Sequence, residues 1–184
     1  LPRELKLVKS GSTYKLNTLP TKEFQKLRKS STSLGQINIT EEKVLKGSFS
    51  ASQTELDLTI NLKETTAKSF GVKLQNDLGE NIIIKFDKKE GKIVVDRTNS
   101  RKDKFSDDFF KKVHTAPISF ENEKMNIRLI IDAASIEIFV NNGEVSFTSI
   151  FFPSEKFNAI SLFSNNGICK IINGEIYPLN SIWN

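Results

Sequence analysis

The sequence is poor in the side chains that staple a fold or carry out acid–base and nucleophilic chemistry. Its 184 residues hold one cysteine, Cys169, and one histidine, His114. A single cysteine excludes an intrachain disulfide. A chain of this length buries roughly 70% of the surface its unfolded form exposes, so it needs neither disulfide nor metal to hold a core. One domain, residues 1–184, is the default. With one histidine, no Cys/His cluster and no Ser/His/Asp or Cys/His constellation in the sequence, neither a zinc site nor independent catalysis is expected. Asn76-Asp77 and the stretch 103–108 lack the ligand spacing of a calcium loop. No cofactor, metal or catalytic residue is therefore expected. Cys169 sits in the apolar run Ile168-Cys169-Lys170-Ile171-Ile172 and reads as a buried structural thiol.

Long apolar runs are also missing. None approaches the ~20 residues of a membrane-spanning helix. The chain opens Leu1-Pro2-Arg3-Glu4, without an initiator Met or a signal peptide, the start expected of a mature or excised fragment. Charge of one sign is in excess: the net charge is +5, and the sequence pI is about 9.2. The lysines are spread along the chain, however, and the densest runs, Lys88-Lys89, Arg101-Lys102 with Lys104, and Lys111-Lys112, are mixed with Asp or Glu. Such runs are solvated loops rather than a phosphate track, so nucleic acid is not an expected partner.

What is present is a period of two. Residues 55–63 place Leu56, Leu58, Ile60 and Leu62 on one face and Asp57, Thr59 and Asn61 on the other, as a strand with one buried face requires. Residues 70–75 and 81–87 form a second pair around the turn composition Asn76-Asp77-Leu78-Gly79, and 92–96 follows. Strands are expected over 127–131, 136–140 and 145–150. Asn142-Gly143 suits a two-residue turn with φ > 0 at both central positions, which would set Val140 opposite Val145 and Ile138 opposite Phe147. A last pair runs over 157–163 and 168–177, with Gly174 marking a bulge. Helical signals are confined to Thr21–Arg28, with Thr21 as N-cap, and to one turn at 106–110. About a dozen short strands with frequent turns predict a β-sandwich or barrel.

Several segments, taken in order, resemble one family. Leu1-Pro2-Arg3-Glu4-Leu5 resembles the P-R-E-L stretch by which family 32 glycoside hydrolases leave their catalytic propeller. Leu19-Pro20, Glu23-Phe24 and Leu27-Arg28 resemble Q-x-P-x-x-E-L-x-x-L-R. Asp96-Arg97-Thr98-Asn99-Ser100 resembles a D-R-[ST] segment. Ile127-Arg128-Leu129, Ile131-Asp132, Ser135 to Gly143, Thr148-Ser149 and Phe152-Pro153 are similar to L-R-I-F-x-D-x-S-x-x-E-V-F-x-N-D-G … T-x-x-I-F-P.

The resemblance covers essentially the whole chain. It implies an all-β, two-sheet antiparallel β-sandwich of about six strands per sheet, concanavalin- or jelly-roll-like. It also implies a partner, an N-terminal five-bladed propeller on the same polypeptide, and a parent enzyme acting on fructan or sucrose that is secreted, periplasmic or cell-surface. Glycoside hydrolysis needs two carboxylates across the scissile bond. In this family they lie in N-D-P and E-C segments, with a further Asp in R-D-P. Here Asn76-Asp77 precedes Leu78, no Arg-Asp pair occurs, and Ile168 precedes Cys169. No catalytic residue carries over.

The expected role is thus an accessory sandwich, with Leu1, Pro2, Arg3, Glu4 and Leu5 at the propeller interface. The alternative is a carbohydrate-binding module that contacts a fructan oligosaccharide itself. Of 14 Phe, two Tyr and one Trp, the phenylalanines are expected in the core, which leaves Tyr14, Tyr177 and Trp183 as sugar-binding candidates. Asp132 and Glu137 fall in the family's strongest segment, but each reads as structural: Asp132 at a short connection, Glu137 facing solvent or the propeller.

Overall fold

A computed structural model describes residues 1–101 and 113–182. The turn expected at 106–110 and Trp183 lie outside the described residues. The N-terminal residues form a hairpin of β1 (Arg3–Ser10) and β2 (Thr13–Pro20), followed by a 3-10 helix (Lys22–Leu27). Three short strands come next: β3 (Thr32–Ser33), β4 (Ile37–Ile39) and β5 (Lys43–Val44). The body is β6 (Thr54–Asn61), β7 (Ser69–Gln75), β8 (Asn81–Asp87), β9 (Lys92–Asp96), β10 (His114–Pro117), β11 (Lys124–Ile131), β12 (Ser135–Val140), β13 (Val145–Ile150), β14 (Ala159–Asn165) and β15 (Cys169–Pro178).

Two antiparallel sheets stack as a sandwich. One is six-stranded in the order β10-β9-β8-β7-β14-β5. The other is seven-stranded, β13-β12-β11-β6-β15-β3, with β4 pairing β15. Inward positions of the central strands are mostly apolar and buried: Leu56, Leu58 and Ile60 in β6, Ile127, Leu129 and Ile131 in β11, Phe70, Val72 and Leu74 in β7, and Ile82, Ile84 and Phe86 in β8. Each such side chain contributes roughly 1.5–3 kcal/mol on leaving water. The period of two in the sequence is the direct cause of this layer.

The β12–β13 hairpin has the expected register, Val140 opposite Val145 and Ile138 opposite Phe147. Asn142 (φ 56) and Gly143 (φ 80) are both left-handed, and Asn141 joins them at φ 49. The connection therefore spans residues 141–144, wider than a two-residue turn, without changing the pairing.

Two local expectations are corrected. The bulge in β15 falls at Ile172, between Ile171 and Asn173, and not at Gly174. The extra residue switches the inward parity from Cys169 and Ile171 to Gly174 and Ile176, and so turns Glu175 and Tyr177 outward. The helix after Pro20 is a 3-10 helix whose N-cap Thr21 makes no side-chain cap bond. Its stability comes from packing: Phe24 and Leu27 lie against Ile130, Phe139 and Leu179 in a second, smaller apolar cluster.

Candidate functional site

That second cluster lies outside the sandwich. Ile130 and Phe139 point away from the main core, yet both are buried, because the N-terminal segment roofs this face of the seven-stranded sheet. The roof is tied down at its far end by backbone bonds: Lys29 N–H to the Pro178 carbonyl at 2.8 Å, Asn180 N–H to the Leu27 carbonyl at 2.7 Å, and a bridge between Arg28 and Leu179.

Charge does the rest. Glu55 has outward parity in β6 but is 0% exposed. Its carboxylate accepts two bonds from Arg28, Nε at 2.8 Å and Nη2 at 2.6 Å, and a third from Arg128 Nε. The Arg28 guanidinium also stacks over the Tyr177 ring at 4.1 Å, and Arg128 lies 5.8 Å from the Phe24 ring. The hydrogen bonds to Glu55 raise the Arg28 pKa above its ordinary value. Burial, and then the charge of Glu55, push the Asp57 carboxyl up despite both arginines. Planar, bidentate, stacked recognition of this kind is specific to arginine.

Beyond this clamp the hairpin leans on the β12–β13 edge. Arg3 donates to Glu137 and to the Thr148 hydroxyl at 2.5 Å, and lies 5.1 Å from the Phe139 ring. Thr18 N–H donates to the Gly143 carbonyl at 3.0 Å, Thr18 and Ser146 share a hydroxyl bond at 3.1 Å, and Lys15 pairs with Glu144 at 2.6 Å. A Cβ on Gly143 would collide with the Thr18 carbonyl, so glycine is required here twice over, by its φ and by this approach.

The rest of the hairpin projects uncovered. Leu5, Leu7, Tyr14 and Leu16 share one face, since Leu7 pairs with Leu16 and Lys9 with Tyr14. They are 65%, 70%, 67% and 54% exposed, and Leu1 is exposed beside them.

Of the sugar-binding candidates, Tyr14 stands on this stripe, while Tyr177 is half-buried on another element with Arg28 against its ring. Of the interface candidates, Leu1, Pro2, Glu4 and Leu5 are exposed, and Arg3 is the hairpin's anchor. Asp132 Oδ1 accepts the Ala133 N–H at 2.7 Å in the β11–β12 turn, and Glu137 receives Arg3 and Thr148. In the D-R-T segment, Asp96 Oδ1 accepts the Thr98 N–H at 2.9 Å and its hydroxyl at 2.7 Å, and Arg97 reaches the Ile150 carbonyl at 2.8 Å. These motif residues are used to hold the fold. Cys169 is buried, and burial pushes its thiol up to about 12, so it stays protonated at neutral pH. Among the described residues no three His, Cys, Asp or Glu side chains gather as a metal site.

Comparison with known proteins decides what this arrangement is. The profile described as "Glycosyl hydrolases family 32 C terminal" matches residues 23–178. The chain belongs to the C-terminal domain family of family 32 glycosyl hydrolases. This family 32 domain is 30% identical to the levanase of Bacillus subtilis (strain 168) over all of its own length but only 27% of the levanase. It is 28% identical to the levanase of Bacillus sp. (strain L7), again over its whole length and 20% of that protein. The exo-inulinase of Aspergillus awamori has the same fold, with a TM-score of 0.83 at 22% identity over 99% of this domain and 36% of that chain. The domain thus spans about a fifth to a third of the proteins it resembles.

Proposed function

We propose that this family 32 domain is the non-catalytic support of a fructan- or sucrose-hydrolysing enzyme, and that its β1–β2 hairpin docks on the N-terminal catalytic propeller. The observation that carries this reading is the uncovered stripe of Leu5, Leu7, Tyr14 and Leu16, which extends from Leu1 along one face of the hairpin. Contiguous exposed apolar side chains on a rigid element mark a contact surface. The roof beneath explains the rigidity: Arg28, Arg128 and Glu55 fix the segment that carries the hairpin, and Arg3 and Thr18 fix its base. The names of the two levanases supply the substrate class. A fructan polymer does not cross a membrane unaided, and a parent enzyme that is secreted, periplasmic or at the cell surface would meet it.

The chain lacks the family's N-D-P, R-D-P and E-C segments. The family's two catalytic carboxylates belong to those segments, so no catalytic residue carries over to this chain, which supports the non-catalytic reading. The purified chain should release no fructose from levan, inulin or sucrose, and deleting it from the parent enzyme should lower the melting temperature of what remains. Fructose release by the chain, or a catalytic part equally stable without it, would contradict the proposal.

A further inference from the structure

The other outer face of the sandwich offers a different surface. Phe163 was expected in the core, but its parity in β14 is opposite to that of Ile160 and Leu162, and it points outward from the six-stranded sheet. Its ring reaches across to β7 and lies over Gly71, where an added Cβ would come within 2.8 Å of Cζ and would strike the Ile84 carbonyl. Glycine at this position leaves room for the tip of the ring and for the Ile84 carbonyl.

Around the ring is a shallow depression of about 440 Å³, bordered by Ile83, Lys73, Lys85, Glu42 and Asn165. Small-ligand sites typically occupy ~300–1,000 Å³ and combine an apolar or aromatic floor with a few convergent polar groups. The charges here are mixed: Lys73 faces Glu42 at 3.4 Å, Lys85 faces Asp87 at 3.1 Å, and Glu41 lines the depression beside them. A phosphate or a polyanion gains nothing from such a site, whereas a neutral polyol finds donors and acceptors side by side. Ser161, the cross-strand partner of Lys73 on the same outward row, is fully buried, and its Oγ has no hydrogen-bond partner.

We infer that this depression binds a neutral polysaccharide chain, namely fructan, with the C–H face of a fructosyl unit on the Phe163 ring and its hydroxyls bonded to Lys73, Glu42 and Lys85. Aromatic rings favour aliphatic C–H groups over their faces, and ammonium and carboxylate groups satisfy vicinal hydroxyls at the rim. The choice of fructan over other neutral glycans rests on the proposed function above. The site holds the polymer near the catalytic domain and so raises its local concentration there. It is distinct from Tyr14 and Tyr177, which lie on the hairpin and on the other sheet.

The test is affinity electrophoresis of the 184-residue chain in gels containing levan, inulin or dextran, with Phe163→Ala, Lys73→Met and Tyr14→Ala variants and a melting curve for each. Levan or inulin should retard the chain. Phe163→Ala should weaken that retardation at least tenfold and Lys73→Met several-fold, while Tyr14→Ala behaves as the unaltered chain. If Phe163→Ala lowers the melting temperature, Lys73→Met, whose change lies at the rim, decides. No retardation by either fructan, retardation by dextran alone, or retardation indifferent to both substitutions would overturn the site. A parent enzyme that cleaves levan while the chain ignores it would defeat this inference and leave the proposed function standing.

Discussion

The two outer faces of the sandwich are built from strands with the same alternation, and they have opposite fates. On the seven-stranded sheet the outward side chains include Glu55, Asp57, Arg128, Ile130, Phe139 and Tyr177, and the N-terminal segment covers them. On the six-stranded sheet the outward side chains of β7, β8 and β14 include Lys73, Ile83, Lys85 and Phe163, which border an open depression. The difference teaches where charge carries structural weight. A carboxylate under a roof is stable only with its hydrogen bonds filled, and Glu55 has three from two arginines. A lysine in the open depression, such as Lys85 beside Asp87, contributes little to stability.

Three substitutions sharpen that contrast. Glu55→Ala should have the largest effect, because it removes the buried carboxylate to which both guanidinium groups are hydrogen-bonded and leaves them only the longer-range charge of Asp57. A loss of about 3–5 kcal/mol is expected in urea unfolding, together with faster proteolysis of the first thirty or so residues. A loss below about 1 kcal/mol would mean that the roof does not depend on its ion pair.

Asp57→Asn should act in the opposite direction and more weakly. A carboxyl whose folded pKa is raised binds its proton more tightly when folded. Its stabilising contribution is therefore present at low pH and is lost as pH rises from the ordinary value of 3.8 through the raised one. Removing the charge should raise the urea midpoint at pH 7, and the advantage should shrink as the pH falls through the carboxylate range. An advantage that is the same at pH 3 and pH 7 would contradict the assignment. Lys85→Ala, on the open face, should change stability by no more than about 0.5 kcal/mol, as surface substitutions usually do.

The sandwich core was legible from the sequence because strands such as β6, β8 and β12 alternate over six to eight residues, and Asn142-Gly143 fixed one register without reference to anything distant. The strands β3, β4 and β5 were not, since two or three residues cannot display a period. The β1–β2 hairpin did carry a signal, Leu5-x-Leu7 and Tyr14-x-Leu16 around Ser10-Gly11-Ser12-Thr13. Its apolar face has no core within this chain to explain it, so the segment read as a junction. The burial of Glu55 depends on Arg28 and Arg128, 27 and 73 positions away, and no local pattern announces it. Tyr177 looked available as a sugar platform because the sequence does not show Arg28 lying on its ring. Phe163 was hidden by its composition. Phenylalanine beside leucine in an apolar run reads as core, and only the strand's parity turns it outward over Gly71.

The central claim is that the hairpin stripe is a contact surface for the catalytic part of the same polypeptide. Amide hydrogen exchange, followed residue by residue in the isolated chain and in the full-length parent enzyme, tests it most directly. The account predicts that the amides of Leu5 to Val8 and Tyr14 to Leu16 exchange much more slowly in the full-length enzyme, while those of β8 and β14 are unchanged. Equal exchange of the hairpin in both, or new protection confined to the six-stranded sheet, would contradict it.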